Sequence, residues 1–348
     1  MSYLTLHRQV ERRALFASRH DGPIVYDEAT RCHVVTNPRQ VLDLLRHPGL
    51  VCQDVVESIA AVTRRYDIQL PNFIYAAGIM PLLMEGPRHE AMRRRMAAFL
   101  AGQRKAVAGR LPELVDRHFA QLRSNDEIDL AGGILLPFVR DLFSEMVEAS
   151  ETIPFRRIAI TRIFDRYIGL RTIQTIDSDL ADLRARIARA CAPAVARGDD
   201  DMLLALLVLG RDSLLATLAT SLNTILAAHI GVRLDAIVFP DFPPETGVAI
   251  AERLAGKDFE YERTSFSTGD RVRLYLQSLN YDASQSVQKL IFGAGPHSCL
   301  GRHMSLDVWP AVGDALRSTP RIVSAVDCAY VDNQIFVMPE RLIVRFEA

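Results

Sequence analysis

Apolar residues along this chain recur with rhythms that change from region to region. Between Arg88 and Val232 they return every three to four positions, in segments near 88–100, 104–124, 134–149, 153–169, 176–197 and 201–229 broken by Gly or Pro. That spacing predicts helices. Upstream, Pro23 to Thr36 reads as a short hairpin: Ile24, Val25 and Tyr26, a turn over Asp27 to Thr30, then His33, Val34 and Val35. Asn37-Pro38 supplies an N-cap and a first helical residue, and Val41, Leu44 and Leu45 carry a helix towards Pro48. Downstream, Val248 to Leu276 breaks into short β-like runs with Gly/Asp turns. A further helix follows Gly301, and Ile335 to Phe346 alternates as strands do around Pro339. The expected architecture is one mainly α domain over residues 1–348, with small β-sheets near its beginning and end.

Composition narrows the function classes. A net charge of -1 over 348 residues gives no electrostatic case for nucleic acid as the main partner. Five widely spaced cysteines, with no Cys-x-x-Cys pair, are not a disulfide framework and suit a reducing cytoplasm. The first residues carry Arg8, Glu11, Arg12 and Arg13 without a long apolar core, so no signal peptide is expected. The most apolar stretch, Met202 to Val232, contains Arg211, Asp212, Asn223 and His229, which are expensive in lipid. It reads as a helix through a protein interior, not a membrane span.

The chemically informative segment is Phe292-Gly293-Ala294-Gly295-Pro296-His297-Ser298-Cys299-Leu300-Gly301. Several readings compete. A dinucleotide loop fails at its third glycine, where Ser298 stands. A zinc site would use His297, Cys299 and His303, with no second Cys pair in support. A nucleophilic cysteine needs a base that the sequence does not identify. The plainest alternative is a glycine-rich turn with a buried cysteine.

The whole ten-residue pattern resembles the heme-ligand loop of the cytochrome P-450 family: Phe, Gly, any residue, Gly, any residue, His, any residue, Cys, any residue, Gly. The resemblance implies that Cys299 is the axial thiolate of an iron protoporphyrin IX (heme b). Phe292 would pack by the sulfur, His297 would meet a heme propionate, and Gly301 would open a helix whose dipole favours the anion. Glu85-Gly86-Pro87-Arg88-His89-Glu90-Ala91-Met92-Arg93 resembles the family's heme-contacting helix. His89 and Arg93, four apart, share a face there and become propionate candidates. Gly210-Arg211-Asp212-Ser213 resembles the oxygen-activating segment, in which Asp212 would relay protons and Ser213 would hydrogen-bond dioxygen or its water. Asp258-Phe259-Glu260 and Thr268-Gly269-Asp270-Arg271-Val272 match the rhythm of the strand region. Counting back from them puts Arg253 at the propionate-binding arginine, and Asn280-Tyr281-Asp282 resembles Asn-Arg-Asp.

The pattern also breaks. The family's Glu-x-x-Arg pair has no counterpart in 237–240 or 241–244, and the gaps from Asp212 to Pro243 and from Asn280 to Phe292 are short. The expected fold is therefore P-450-like but truncated on the proximal, Cys-side half, with the Cys loop held by other packing or by a partner. The function implied is a soluble heme-thiolate monooxygenase. It would act on a small organic substrate with dioxygen and two electrons from a ferredoxin- or flavodoxin-type donor. Two alternatives stay open: a peroxide-driven or non-redox enzyme of the same heme-thiolate type, and a non-catalytic heme-binding or recruitment protein. Substrate contacts are expected from Pro71 to Leu83, from 153–197, and near Leu206 and Leu209.

Overall fold

The computed structural model describes residues 22–151, 153, 169–281, 289–331 and 335–347. The expected helix over 153–169, apart from its two end residues, and Asp282 of the Asn-Tyr-Asp run lie outside them.

The hairpin pairs β1 (Val25–Asp27) with β2 (Cys32–Val35), and a helix then runs over Pro38–Leu45. Asn37 caps that helix by accepting from the amides of Arg39 (3.0 Å) and Gln40 (3.2 Å), while Pro38 supplies a residue with no amide hydrogen to lose. β2 does not stop at the hairpin. It runs parallel to β8 (Arg271–Tyr275), which pairs antiparallel with β5 (Ile250–Ala255), which in turn pairs with β3 (Leu50–Val51). The result is one five-stranded sheet in the order β1-β2-β8-β5-β3. It brings the Val25–Val35 hairpin and the Val248–Leu276 region together. β6 (Phe259–Tyr261) and β7 (Thr264–Phe266) form a small separate hairpin.

The helical bulk packs around a central stretch, Asp200–Leu209 followed by Arg211–Ala228. Leu203, Leu204, Ala205, Leu207, Leu218, Ala219 and Leu222 are all buried, so the stretch is apolar on every side. A helix of that kind belongs in a core or a bilayer. By length and composition alone it passes as a membrane span, yet 83% of its most apolar window is buried within the fold. The expected single helix is distorted at Gly210. A Cβ there would lie 2.8 Å from the Leu206 carbonyl and 2.9 Å from the Phe143 ring. The glycine is what lets Phe143 press into the helix.

Other boundaries shift for readable reasons. The expected helices 88–100 and 104–124 are instead one continuous helix, Gly86–Ala108, and a shorter one, Leu111–Phe119. Gly102 costs about 1 kcal/mol against alanine and does not break the first. The stop comes at Gly109, with Pro112 in the first turn of the next helix. The 176–197 helix starts earlier and divides into Leu170–Ala190 and Ala192–Ala196, because Pro193 suits a new first turn. Helices Val55–Tyr66 and Pro71–Ile79 were not expected. At the C-terminal end, only Pro339–Glu347 (β10) of the alternating run is strand. It sits between β4 (Glu127–Asp129) and β9 (Ile322–Tyr330). β9 lacks clean alternation of burial, so its pattern did not predict a strand. The helix after Gly301 runs over Arg302–Arg317 as expected.

Candidate active site

The Cys299 segment is a tight loop made by backbone geometry. Gly293 (φ +77°) and Gly295 (φ +72°) adopt the left-handed conformation, which glycine reaches without a Cβ penalty. Gly295 also presses on the end of the Pro38–Leu45 helix, where an added Cβ would come within 2.6 Å of the Leu45 carbonyl. The loop closes through Cys299 N–H to the Phe292 carbonyl (2.8 Å) and Ser298 N–H to the Gly295 carbonyl (3.2 Å). Behind it, Gly301 caps the Arg302–Arg317 helix.

Cys299 sits where these features meet. Burial pushes its thiol pKa up, while backbone N–H groups of Gly301 and Arg302 donate towards the sulfur and, with the Arg93 charge, favour the thiolate. The accessible surface of the residue faces a cavity of about 680 Å³, within the roughly 300–1,000 Å³ range of small-molecule sites. Phe292, Gly293, Cys299 and Gly301 form one wall, and Leu206, Leu209, Gly210, Ser213 and Thr217 of the central helix form another. Apolar side chains, among them Phe73, Leu82, Phe143, Ile173 and Phe336, enclose the rest.

One edge is rich in nitrogen donors. Arg93, Arg253 and His297 line the cavity, and the His89 ring packs on that of His297 at 4.1 Å between centroids. His89 and Arg253 are almost wholly buried. Arg253 donates to the Glu252 carbonyl (2.8 Å), and Arg93 reaches Ser298 Oγ at 3.5 Å. His297 Nε2 lies 3.1 Å from Glu85 Oε1 and 3.5 Å from Cys52 Sγ. Burial, then the Arg253 charge, depress the His297 pKa to about 4 against the opposing pull of Glu85. Burial and Arg93 lower that of His89. His89 Nε2, His297 Nδ1 and Arg302 Nε are buried without a hydrogen-bond partner. Such atoms are costly unless something satisfies them.

The acid–alcohol pair is divided by the helix surface. Ser213 faces the cavity, and its hydroxyl lies 2.7 Å from the Leu209 carbonyl and 2.9 Å from that of Gly210. Asp212 is buried but does not line the cavity; Arg211 Nε donates to its Oδ1. The structure therefore gathers Cys299, Phe292, Gly301, His297, Arg93, Arg253 and Ser213 around one cavity, with His89 directly behind, and leaves Asp212 to one side.

Sequence reasoning gave no role to Glu85, Cys52 or Glu252. Glu85 stood inside the quoted helix motif, but its partners are 33 and 212 positions away. Glu252 accepts from Arg271 (2.7 Å) and Arg273 (3.0 Å) beside Arg253, which keeps its carboxyl pKa low despite burial. Where the Glu-x-x-Arg pair was sought, Trp309 Nε1 donates to the Pro240 carbonyl (2.7 Å) and Phe239 packs on the Trp309 ring.

No family model matches the sequence, and no curated protein matches it. Solved structures do match in shape. The versatile cytochrome P450 enzyme CYP109B1 from Bacillus subtilis is 15% identical, with a TM-score of 0.70 over 97% of this chain and 99% of its own. The CYP116B5 heme domain of Acinetobacter radioresistens is 16% identical, with a TM-score of 0.71 over 99% and 96%. P450 RauA, complexed with a biosynthetic intermediate of aurachin RE, is 15% identical, with a TM-score of 0.68 over 99% of both chains. Residue patterns and backbone agree, and the chain has the cytochrome P450 fold.

Proposed function

We propose that this chain is a heme-thiolate monooxygenase. The reading rests on one observation above the others. Cys299, with amides aimed at its sulfur, faces the same cavity as Ser213, and that cavity has a cationic, histidine-rich edge. The residues fit iron protoporphyrin IX. A thiol stands on one wall and a helix glycine on the other. At the edge, Arg93, Arg253, His297 and His89 meet the needs of two carboxylates, and two of those side chains carry buried nitrogens with no partner of their own. When bound, the heme supplies dioxygen activation, with thiolate donation favouring O–O cleavage.

The chain's own residues then do the following. Cys299 would hold the iron as a thiolate, with the Gly301 and Arg302 amides aimed at its charge. Ser213 sends its hydroxyl proton to a helix carbonyl, so its oxygen is free to accept from a molecule in the cavity. The apolar lining excludes bulk water and orients a small organic substrate. The balance is substrate C–H, dioxygen, two electrons and two protons giving C–OH and water. The electrons come from a ferredoxin- or flavodoxin-type donor, and the setting is the cytoplasm. For Asp212 to feed protons, its carboxylate must exchange Arg211 for the cavity.

That last point favours a second reading. A peroxide-driven reaction brings its own electrons and protons, and it suits a site whose acid is paired away. Product formed with dioxygen plus reductant, compared with product formed with peroxide, separates the two. The primary test is the reduced, carbon-monoxide-bound spectrum. A red-shifted Soret band that disappears in Cys299→Ala supports the thiolate, and a wild-type protein without heme ends both readings.

A further inference from the structure

Beside the heme pocket lies a cluster that shares only His297 with the monooxygenase reading. Cys52 follows β3, Glu85 precedes the Gly86–Ala108 helix, and His297 belongs to the Cys299 loop. Three unconnected segments thus bring a thiol, a carboxylate and an imidazole together, with their ligand atoms all within 4.8 Å of one another. Cys52 Sγ is 3.5 Å and Glu85 Oε1 is 3.1 Å from His297 Nε2. A tetrahedral zinc with bonds of about 2.3 Å to sulfur and 2.0–2.1 Å to nitrogen or oxygen sets neighbouring ligands about 3.3–3.5 Å apart. The observed spacings are of that size. The Cys52 amide donates to Glu85 Oε1 (2.6 Å), which fixes the carboxylate against the thiol.

A second observation comes from the other ring nitrogen. His297 Nδ1 is buried with no partner, on a side chain only 6% exposed. Histidines that bind metal through one nitrogen characteristically donate the other N–H to a carboxylate. His297 faces the cavity edge at which heme carboxylates are expected, so Nε2 and Nδ1 have separate tasks. Charge also balances. A Cys52 thiolate and the Glu85 carboxylate neutralise a divalent ion.

We propose that Cys52, Glu85 and His297 bind a zinc-class divalent cation through Sγ, Oε1 and Nε2, next to the heme edge. Binding replaces the Cys52 thiol proton, which passes to solvent, and no electron is transferred. The site does not require heme. Only the donation from His297 Nδ1 to a heme carboxylate rests on the function proposed above.

The test uses the full-length, heme-loaded protein, dialysed against Zn²⁺ and then against metal-free buffer. Zinc content and Zn K-edge X-ray absorption are measured on the wild type, Cys52→Ser, Glu85→Gln and Cys299→Ser. The expected result is about one retained zinc per chain with a single sulfur neighbour near 2.3 Å. The sulfur neighbour should vanish in Cys52→Ser and persist in Cys299→Ser, and retention should fall at least tenfold in Cys52→Ser and Glu85→Gln. Iron content and the carbon-monoxide spectrum, which read the heme separately, should be unchanged in Cys52→Ser and thereby show that this variant folds. Failure of the wild type to retain zinc overturns the proposal. So does a sulfur neighbour that survives Cys52→Ser, or one lost only in Cys299→Ser. A protein that binds zinc but no heme would uphold this site and refute the monooxygenase.

Discussion

The two walls of the cavity are built on opposite principles. The Cys299 wall is a loop in which backbone amides, two left-handed glycines and the start of a helix all converge on one sulfur. Its polar groups are turned towards the cavity. The central-helix wall is apolar almost throughout, and its few polar groups are engaged within the helix itself. Ser213 bonds to carbonyls of its own helix, and Asp212 is held by Arg211. The comparison teaches that the loop side is the better organised for binding. The helix side is the one whose acid is out of reach.

The largest effect is expected where the helix wall buries charge. Arg211 and Asp212 side chains are only 7% and 8% exposed. Removing Arg211 strands the Asp212 carboxylate in the interior, at roughly 3–5 kcal/mol. Arg211→Met should lower the urea midpoint accordingly, while Arg211→Met/Asp212→Leu should recover most of the loss. If Asp212 also relays protons, Asp212→Asn should slow dioxygen-driven turnover and leave the peroxide-driven reaction intact. Equal loss of both would leave the pair a purely structural feature of this wall.

On the Cys wall, the corresponding change is at the backbone. Gly295→Ala places a Cβ against the Leu45 carbonyl at a positive φ, for a cost of about 2–3 kcal/mol. Gly293→Ala, whose nearest contact is an ordinary 3.9 Å, should cost only the conformational part, about 1–2 kcal/mol. Thermal unfolding of the two variants distinguishes close packing from backbone strain as the constraint on this loop.

These walls were not equally legible in the sequence. The Cys loop is local: its glycines, histidine and cysteine lie within ten residues, so spacing alone carried its chemistry. The donor edge was legible as residue types, His89, Arg93, Arg253 and His297, but its counter-charges were not. Glu85 and Glu252 act through contacts set by tertiary packing. Gly210-Arg211-Asp212-Ser213 showed an acid and an alcohol, and it could not show that adjacent residues on a helix point about 100° apart. That rotation puts Ser213 in the cavity and Asp212 outside it. Helices read well where apolar stripes are periodic. β9 and β4 were missed because strand identity there depends on pairing with β10 and not on local alternation.

Glu252 offers a pH-dependent way to sharpen the contrast. Its pKa is held below the usual value by Arg273 and Arg271 despite burial. A depressed carboxyl pKa contributes stability that is fully present above the unfolded value near 4.5 and is lost as pH falls through the folded value. Glu252→Gln should therefore destabilise by about 2 kcal/mol at neutral pH, the scale of hydrogen bonds to charged groups. The gap from wild type should close as pH drops below about 4.5. A gap independent of pH would mean that the carboxylate charge contributes nothing to holding the Arg253 strand.

The smallest effect tests whether side-chain charge braces the Cys wall at all. Arg104 of the Gly86–Ala108 helix pairs in bidentate fashion with Asp307 of the Arg302–Arg317 helix, tying the segment that carries His89 and Arg93 to the one that Gly301 caps. The side chains are 45% and 31% exposed, so solvent screens the pair and Asp307→Asn should cost little, less still at high salt. That is well below the Gly295→Ala effect. The ranking follows from the physics of this wall: its shape is set by backbone conformation and close packing, which salt does not weaken. A thermal shift for Asp307→Asn as large as that for Gly295→Ala would reverse the ranking and make this ion pair the functional substitute for the absent Glu-x-x-Arg brace.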